Sequence, residues 1–352
     1  SSNTIIDGGG VSSVIYMNPQ TATIDTTTLI QGFKITNGGN VAVGGGLIIF
    51  NCGVDINKCE INQNQSNSKG GGIYFENSIS NISKSGIYNN NTGEVPDGVF
   101  GGGGIFIAGS EINLREVAIN NNSTSGYSVG GGLAINEDAN SDRSNVKVYN
   151  SSIGYNSSSY AAGGVFVQSS DVILSNVKIH HNSSEMKAGM HMRSSNITFN
   201  NVDINDNYGI GLYTSSNVIG DLNIYNNHGA GIFTYGQDVI IKHVKIFNNK
   251  SSTSYYDESW ASAIIVGNIY DYGVVIDSCV ISNNECLSWG QNVDDCSTIS
   301  VRHNTSSKNL DIKNSTIVNN IGLKSGFLES KVITSVQNTT IYNNSAVNSN
   351  NN

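Results

Sequence analysis

The sequence predicts an all-β solenoid: a single parallel β-helix of about twelve turns with an internal asparagine ladder. Three observations predict it: two motifs that recur in phase along the chain, and an alternation of apolar residues between them. In the first motif an isoleucine is followed three residues later by an asparagine, at intervals of 20 to 36 residues. The asparagines are Asn64, Asn90, Asn122, Asn156, Asn182, Asn207, Asn227, Asn249, Asn284, Asn320 and Asn344.

The second motif is a glycine run that precedes a short apolar strand, as in Gly70-Gly71-Gly72-Ile73. After the glycines, Ile73 and Phe75 alternate with other residues, which is typical of a strand with one buried face. Two further short strands follow before the next asparagine. No stretch shows a sustained helical period, so the repeat predicts three strands per turn.

The asparagine column has a physical reason. Each turn must bend sharply after its third strand, and the bend leaves buried backbone groups that need hydrogen-bond partners. An inward asparagine supplies two donors and an acceptor, and it can pair with the asparagines of the turns on either side. A buried asparagine of this kind cannot carry a glycan, although several lie in glycosylation triplets.

The unbroken repeat predicts one domain over residues 1–345, in which residues 1–40 form an irregular first turn or cap. Residues 346–352 are rich in asparagine and serine and are expected to be a tail or linker. Only 13% of residues are charged and the net charge is −9, which argues against nucleic acid as a partner. No apolar run is long enough for a membrane span. The composition favours an extracellular or cell-surface location.

The five cysteines permit two disulfides. Cys286 and Cys296 bracket one inserted loop and are the expected pair. Cys52–Cys59 is a second candidate. Cys59 also falls in an inward column, like Cys279, where a buried free thiol is the alternative. No cysteine spacing matches a zinc site.

One residue of each strand after the glycines is predicted to point outward, and this column is rich in aromatic rings. The candidate ligand-binding residues of this column and the next are Tyr74, Phe106, Phe166, His191, Tyr213, Phe233 and Tyr235. An aromatic row on a flat sheet suits stacking against sugars or packing against another chain. The alternative is that the rings only stabilise the sheet by pairing across strands.

Five of the six histidines lie between residues 180 and 243, in turns with short loops that are expected to form a saddle. Here His191, Arg193 and Tyr213 are candidate catalytic residues of a polysaccharide lyase. An arginine can neutralise a uronate carboxylate while a histidine or tyrosine removes the adjacent proton. The alternative is that these histidines are ordinary surface residues.

Acidic residues in two later loops are the candidate metal ligands: Asp257, Glu258, Asp294 and Asp295. The loops belong to successive turns, so these side chains could meet around Ca²⁺. No loop has the ligand spacing of a calcium motif, and solvated loop charges are the alternative. No other cofactor is expected.

The paired motifs, such as Gly70-Gly71-Gly72-Ile73 with Ile87 and Asn90, resemble known repeats. They are similar to the Gly-Gly-Ala-aliphatic and Phe-x-x-Asn repeats of chlamydial polymorphic outer-membrane proteins. They also resemble adhesin-like β-helix proteins of methanogenic archaea and bacterial cell surfaces. Here isoleucine replaces the phenylalanine and glycine the alanine. The resemblance covers nearly the whole chain and implies a right-handed, pectin-lyase-like helix with adhesion or wall-building roles.

The expected function is therefore that of a non-catalytic adhesin or display scaffold outside the cell. It would bind a polysaccharide, or a surface protein of a host or neighbour, through the aromatic face and loops. Two alternatives stay open. One is a carbohydrate-active enzyme, a polysaccharide lyase by preference, acting in the saddle. The other is a structural stalk that associates with copies of itself.

Overall fold

The computed structural model describes residues 4–19, 25–94, 101–184, 189–235, 238–252, 261–267, 273–287, 296–301, 310–330 and 334–347. The chain divides into two compact units, Ser1–Asn196 (unit 1) and Ile197–Asn352 (unit 2). All regular secondary structure in the described ranges is β-strand. Those ranges contain no helix long and apolar enough to cross a lipid bilayer.

Unit 1 is built from short strands, most of them two to five residues long. They are β1 (Thr4–Asp7), β2 (Ile15–Met17), β3 (Leu29–Gln31), β4 (Phe33–Thr36), β5 (Leu47–Phe50), β6 (Gly53–Asn57), β7 (Glu60–Asn62), β8 (Gln65–Ser66), β9 (Ile73–Glu76), β10 (Ile79–Ser83), β11 (Gly86–Tyr88), β12 (Asn91–Glu94), β13 (Ile105–Ala108), β14 (Glu111–Arg115), β15 (Ala118–Asn120), β16 (Ser123–Ser125), β17 (Leu133–Asn136), β18 (Asn145–Gly154), β19 (Ser157–Ser158), β20 (Val165–Gln168), β21 (Asp171–His180), β22 (Ser183–Ser184) and β23 (Met190–Arg193).

Unit 2 continues the same pattern, beginning with a strand whose first residue still belongs to unit 1. Its strands are β24 (Asn196–Asn205), β25 (Leu212–Thr214), β26 (Val218–Tyr225), β27 (Ile232–Thr234), β28 (Val239–Phe247), β29 (Lys250–Ser252), β30 (Ala261–Val266), β31 (Val274–Asp277), β32 (Val280–Ser282), β33 (Glu285–Leu287), β34 (Ser297–Val301), β35 (Leu310–Lys313), β36 (Thr316–Val318), β37 (Ile321–Gly322), β38 (Ser325–Ser330), β39 (Thr334–Gln337), β40 (Thr340–Tyr342) and β41 (Ser345–Ala346).

Each strand pairs in parallel with the equivalent strand of the next turn. In unit 1 the strands that follow the glycine runs form a first sheet, in the order β2, β5, β9, β13, β17, β20, β23. The middle strands form a second sheet, in which β10 lies between β6 and β14. The strands that follow the ladder asparagines form a third sheet in the order β8, β12, β16, β19, β22. This stacking is the predicted parallel β-helix.

Unit 2 is organised in the same way. Its first-sheet pairs are β25–β27, β27–β30, β30–β34 and β34–β38. In its second sheet β26 lies between β24 and β28. Its third sheet consists of β29, β33, β37 and β41. Ala346, which the sequence predicts to lie in the tail, pairs in β41 with Gly322.

Like residues stack on like residues inside the turns. Ile73 pairs with Leu47 on one side and Ile105 on the other, and all three side chains are fully buried. Burying one isoleucine stabilises the fold by about 2 kcal/mol relative to exposing it. The narrow interior therefore provides a continuous apolar core through each unit.

The predicted asparagine ladder is present in unit 1 from Asn64 to Asn182. The Oδ1 atom of Asn122 accepts hydrogen bonds from the backbone N–H and the Nδ2 group of Asn90, both at 3.0 Å. The Nδ2 group of Asn122 donates to the carbonyl oxygen of Ile87 at 2.9 Å and to Oδ1 of Asn156 at 3.0 Å. Each amide therefore satisfies the backbone of one turn and joins the next amide.

Unit 2 repeats this arrangement from Asn207 to Asn344. For example, Oδ1 of Asn249 accepts from the backbone N–H of Asn227 at 3.1 Å and from its Nδ2 group at 2.9 Å. The ladder residues Asn207 to Asn320 of this unit are buried. The asparagine ladder is thereby confirmed within each unit.

The residue just before each ladder asparagine has a left-handed backbone conformation, with φ near +55° for Asn121 and +52° for His181. This conformation bends the chain at the corner, and asparagine tolerates it better than most residues. It also interrupts the alternation of the strand. Two consecutive residues therefore point outward, as His180 and His181 do, before the chain turns inward at Asn182.

Removing one ladder amide should destabilise the fold strongly. Asn122→Ala deletes four buried side-chain hydrogen bonds and leaves the Ile87 carbonyl without its partner. We expect the free energy of unfolding, measured by urea denaturation, to fall by about 3 kcal/mol or more. The matched control is Asn145→Ala, which truncates an exposed asparagine on β18 and should change stability by less than about 0.5 kcal/mol. Equal losses in the two variants would contradict the ladder's role.

Candidate functional site

The aromatic row of unit 1 is buried, and the prediction that it forms an exposed face is wrong. Phe106 and Phe166 are 1% exposed and Tyr74 is 8% exposed. Tyr74 and Phe106 stack in parallel with their ring centroids 5.5 Å apart. These rings do point away from the interior of the helix, but they belong to a second apolar cluster outside the first sheet.

The chain that precedes each strand covers this row. In the cluster, Val129 and Ala161 pack with the aromatic rings, and Val43 packs against its edge. Sharp turns at the glycines bring these residues back over the strand. At Gly102, where φ is +61°, a β-carbon would lie 2.4 Å from the carbonyl oxygen of Ile105, so only glycine fits.

The aromatic row of unit 2 is covered in a similar way. Tyr213 and Phe233 stack at 4.6 Å and pack with Ile210 and Ala230 in one apolar cluster. Tyr235 is half-buried at the edge of this cluster, with its ring tilted against Tyr213 at 4.8 Å. The rings therefore stabilise the sheet, which is the alternative that the sequence left open.

The three candidate lyase residues do not form an exposed group. His191 is 6% exposed and packs edge-on against Phe166 at 5.2 Å in unit 1. Tyr213 is buried within unit 2. Of the three, Arg193 is the exposed side chain. A polymer would need access to the base as well as to the cation, so this trio is not supported as a catalytic site.

The candidate calcium ligands Asp257, Glu258, Asp294 and Asp295 lie outside the described residues. Within the described part of the chain, no three histidine, cysteine, aspartate or glutamate side chains come together in a way that could hold a metal ion.

Among the cysteines, Cys286 and Cys296 form a disulfide, as the loop that they bracket predicts. The Cys52–Cys59 disulfide does not form, because both residues are buried free thiols that interact with separate backbone carbonyls. Cys279 is also buried and free. Burial raises the pKa of the Cys279 thiol to about 11, which keeps it protonated and unreactive near neutral pH.

The sequence analysis missed a surface on unit 2 that we call the Phe247 patch: Asp203, Asn223, Tyr225, Phe247 and Ser282. These residues lie on the outward face of β24, β26, β28 and β32, and all are half-buried. Tyr225 and Phe247 stack nearly in parallel at 4.8 Å. The strand register places the small side chain of Ser282 next to Phe247 on its other side. The ring stack therefore ends at Phe247, next to a much smaller side chain. We call this change from a large to a small side chain the step.

Polar groups lie beside the rings of the Phe247 patch. The carboxylate of Asp203 accepts a hydrogen bond from Asn223 Nδ2 at 2.9 Å and a longer one from the Tyr225 hydroxyl at 3.5 Å. Burial, followed by the negative charges of Asp203 and Asp206, raises the pKa of Tyr225. The patch thus combines an aromatic stack, a carboxylate and an amide on rigid strands.

A second surface group that the sequence analysis missed is the histidine cluster of unit 1: Ser152, Gly154, Tyr155, His180 and His181. The Nε2 atom of His180 lies 2.9 Å from Ser152 Oγ, and its Nδ1 atom lies 3.0 Å from Nδ1 of His181. The His181 ring stacks on Tyr155 at 4.7 Å. The cluster can exchange protons, hydrogen-bond a ligand or hold a cation.

The sequence did carry a signal for the histidine cluster. Most residues at the left-handed corner before a ladder asparagine are asparagine, as at Asn89 and Asn121. Tyr155 and His181 break that pattern in consecutive turns. Bulky side chains at a strained corner position indicate a reason other than backbone geometry.

Comparison with known proteins identifies the fold. Residues 131–273 match a family model described as a right handed beta helix region. The matched range is thus similar to a right-handed β-helix, and the parallel stacking described above recurs among the described strands of both units. No curated protein sequence matches it.

Solved structures similar to this β-helix include the periplasmic alginate epimerase AlgG, with 11% identity over 83% of this chain and 78% of that one, and a TM-score of 0.48. The A-module of the Azotobacter vinelandii mannuronan C-5 epimerase AlgE4 has 13% identity over 93% of this chain and 87% of that one, with a TM-score of 0.38. Similarity at this level assigns no activity to the β-helix.

Truncating one ring of the covered row tests whether the row is structural. Phe106→Ala removes a ring that is buried against Tyr74, so the free energy of unfolding should fall by about 3–5 kcal/mol. Tyr127→Ala is the control, because Tyr127 is 67% exposed and its loss should cost less than about 1 kcal/mol. Chemical denaturation measures the free energy of unfolding of both variants. A loss below 1 kcal/mol at Phe106 would restore the exposed-face hypothesis.

Proposed function

We propose that this β-helix is a non-catalytic, extracellular or cell-surface scaffold that binds a neutral glycan through the Phe247 patch. The observation that carries the proposal is the step at the end of the Tyr225–Phe247 stack. It places an aromatic ring, a carboxylate and an amide side by side on the outward surface of paired strands.

The step matters because a ring that is stacked on both sides has no free face for a ligand to contact. Rings that stack along a β-helix use their faces on each other and present only their edges to solvent. Phe247 stacks on Tyr225 with one face, and its other face is directed toward the small Ser282. The apolar face of a sugar ring matches such a surface in size and chemistry.

The polar groups of the patch suit sugar hydroxyls. A carboxylate oxygen of Asp203 and the amide of Asn223 are already oriented by their hydrogen bond to each other, so little side-chain entropy is lost on binding. A few oriented polar groups beside an apolar surface are the usual composition of a small-molecule site.

The charge of the patch favours a neutral ligand. Asp203 and Asp206 lie at this surface, where burial and then their negative charges raise the pKa of Tyr225. The whole chain carries a net charge of −9. A polyuronate would be repelled by these groups, although Lys245 lies in the same column of the sheet between Asn223 and Val280.

The proposed location is supported by the Cys286–Cys296 disulfide, because such bonds persist mainly in oxidising compartments. The low fraction of charged residues and the abundance of short polar side chains suit the same setting. A rigid ladder of parallel strands would hold a binding surface at a fixed position there.

The test is affinity electrophoresis through native gels that contain a neutral β-glucan, a mannan or polygalacturonate, each stained afterwards for polymer. We expect retardation in a neutral gel without loss of polymer. Phe247→Ser, which places the residue of the next turn at this position, should weaken binding about tenfold, or about 1.4 kcal/mol. Asp203→Asn should weaken binding by a smaller factor.

The matched control is Tyr155→Asn in unit 1, which removes an exposed ring at a corner where other turns have asparagine. Its mobility should equal that of the native protein in every gel. Retardation that survives Phe247→Ser would place the glycan elsewhere. A cleared zone in any gel would favour the carbohydrate-active alternative, and sedimentation as an oligomer without glycan binding would favour the self-associating stalk.

A further inference from the structure

The Nδ1 atoms of His180 and His181 lie 3.0 Å apart on the outer surface of unit 1. Imidazole nitrogens bind transition metals at about 2.0–2.1 Å, so two nitrogens at right angles around one ion are roughly 3 Å apart. We propose that His180 and His181 bind a divalent transition-metal ion through their Nδ1 atoms, with Cu²⁺ held most tightly.

Ser152 can accept a hydrogen bond from His180 in the tautomer that this binding needs. When both Nδ1 atoms are bound to the ion, the proton of each neutral ring lies on Nε2. The Nε2–H group of His180 then donates to Ser152 Oγ, 2.9 Å away. Histidine ligands usually donate their second nitrogen in this way, which fixes the orientation of the ring. The proton that the two Nδ1 atoms share without metal moves to an Nε2 atom.

Packing holds the two rings in place before any ion arrives. A β-carbon on Gly154 would lie 2.5 Å from Cε1 of His180, so the missing side chain makes room for that ring. The His181 ring rests on Tyr155 at 4.7 Å. The left-handed corner at His181, with φ of +52°, directs both consecutive rings outward. Such preorganisation reduces the entropy lost on binding.

The site is open to solvent and has two protein ligands. His180 and His181 are half-buried, and Tyr155 beside them is exposed. Within the described ranges, no third histidine, cysteine, aspartate or glutamate side chain completes a cluster with these two histidines. Nitrogen ligands favour Cu²⁺ over Zn²⁺ and the earlier divalent ions. This site lies in unit 1 and does not depend on the glycan proposal, which concerns unit 2.

The experiment is a calorimetric titration of the tag-free full chain with CuSO₄ in a weakly coordinating buffer at about pH 7.5. We expect one saturable site, with an electron paramagnetic resonance spectrum that shows coupling to two nitrogens. His180→Asn and His181→Asn should each weaken binding at least tenfold. Asparagine stands at the equivalent positions two turns earlier, Asn120 and Asn121, so both variants should fold.

Two further variants separate ligands from positioning residues. Ser152→Ala should weaken Cu²⁺ binding about tenfold, as is typical when a hydrogen-bond partner of a metal ligand is lost. Gly154→Ala keeps both histidines but displaces the His180 ring, so it should also weaken binding and change the nitrogen coupling. The control is His228→Asn, which removes a histidine stacked on Tyr208 in unit 2 and should leave affinity unchanged.

Thermal unfolding of each variant without metal establishes that it is folded. Absence of saturable Cu²⁺ binding by the native chain would overturn the proposal. So would undiminished affinity in the His180→Asn/His181→Asn double variant, or loss of the site in His228→Asn.

Discussion

The amide-to-amide hydrogen bond between ladder asparagines is the interaction on which the other features of each unit depend. In every turn the chain bends through a left-handed corner, and the buried carbonyl of the preceding isoleucine needs a donor there. The Nδ2 group of Asn122 supplies it to Ile87 and continues to Asn156. Because the bond fixes the corner, it also fixes which residues of the adjoining strands point inward and which point outward.

Much of the fold could be predicted because it repeats. An isoleucine three residues before an asparagine is a weak signal once, but its recurrence in phase with the glycine runs predicts stacked parallel strands and an inward amide. The burial of Ile73 and Phe75 follows from the two-residue period of apolar side chains in this strand. The burial of Phe106 could not be predicted from this period. The pattern shows that this ring leaves the interior, but not that the left-handed Gly102 turn brings the preceding chain back over that face.

The candidate sites were harder to predict because they depend on side-chain geometry between turns. The step at Phe247 arises only when the strand register sets it beside Tyr225 and Ser282, residues 22 and 35 positions away. The contact between His180 and Ser152 needs the space left by Gly154 in the neighbouring turn. The histidine pair itself was visible in the sequence, but a period of two would have placed its members on opposite faces.

The ladder also has a direction. Along each unit every Nδ2 group donates to the Oδ1 atom of the following asparagine, so the amide dipoles all point the same way. Each amide accepts from an Nδ2 group of the preceding asparagine and donates to an Oδ1 atom of the following one, whichever turns those neighbours come from. Duplicating or deleting a complete coil therefore leaves every remaining amide satisfied, whereas a gain or loss of a few residues is tolerated only at a corner. A gene that encodes such a repeat can therefore gain or lose whole coils. The binding surfaces then change position along the helix while their own residues stay the same.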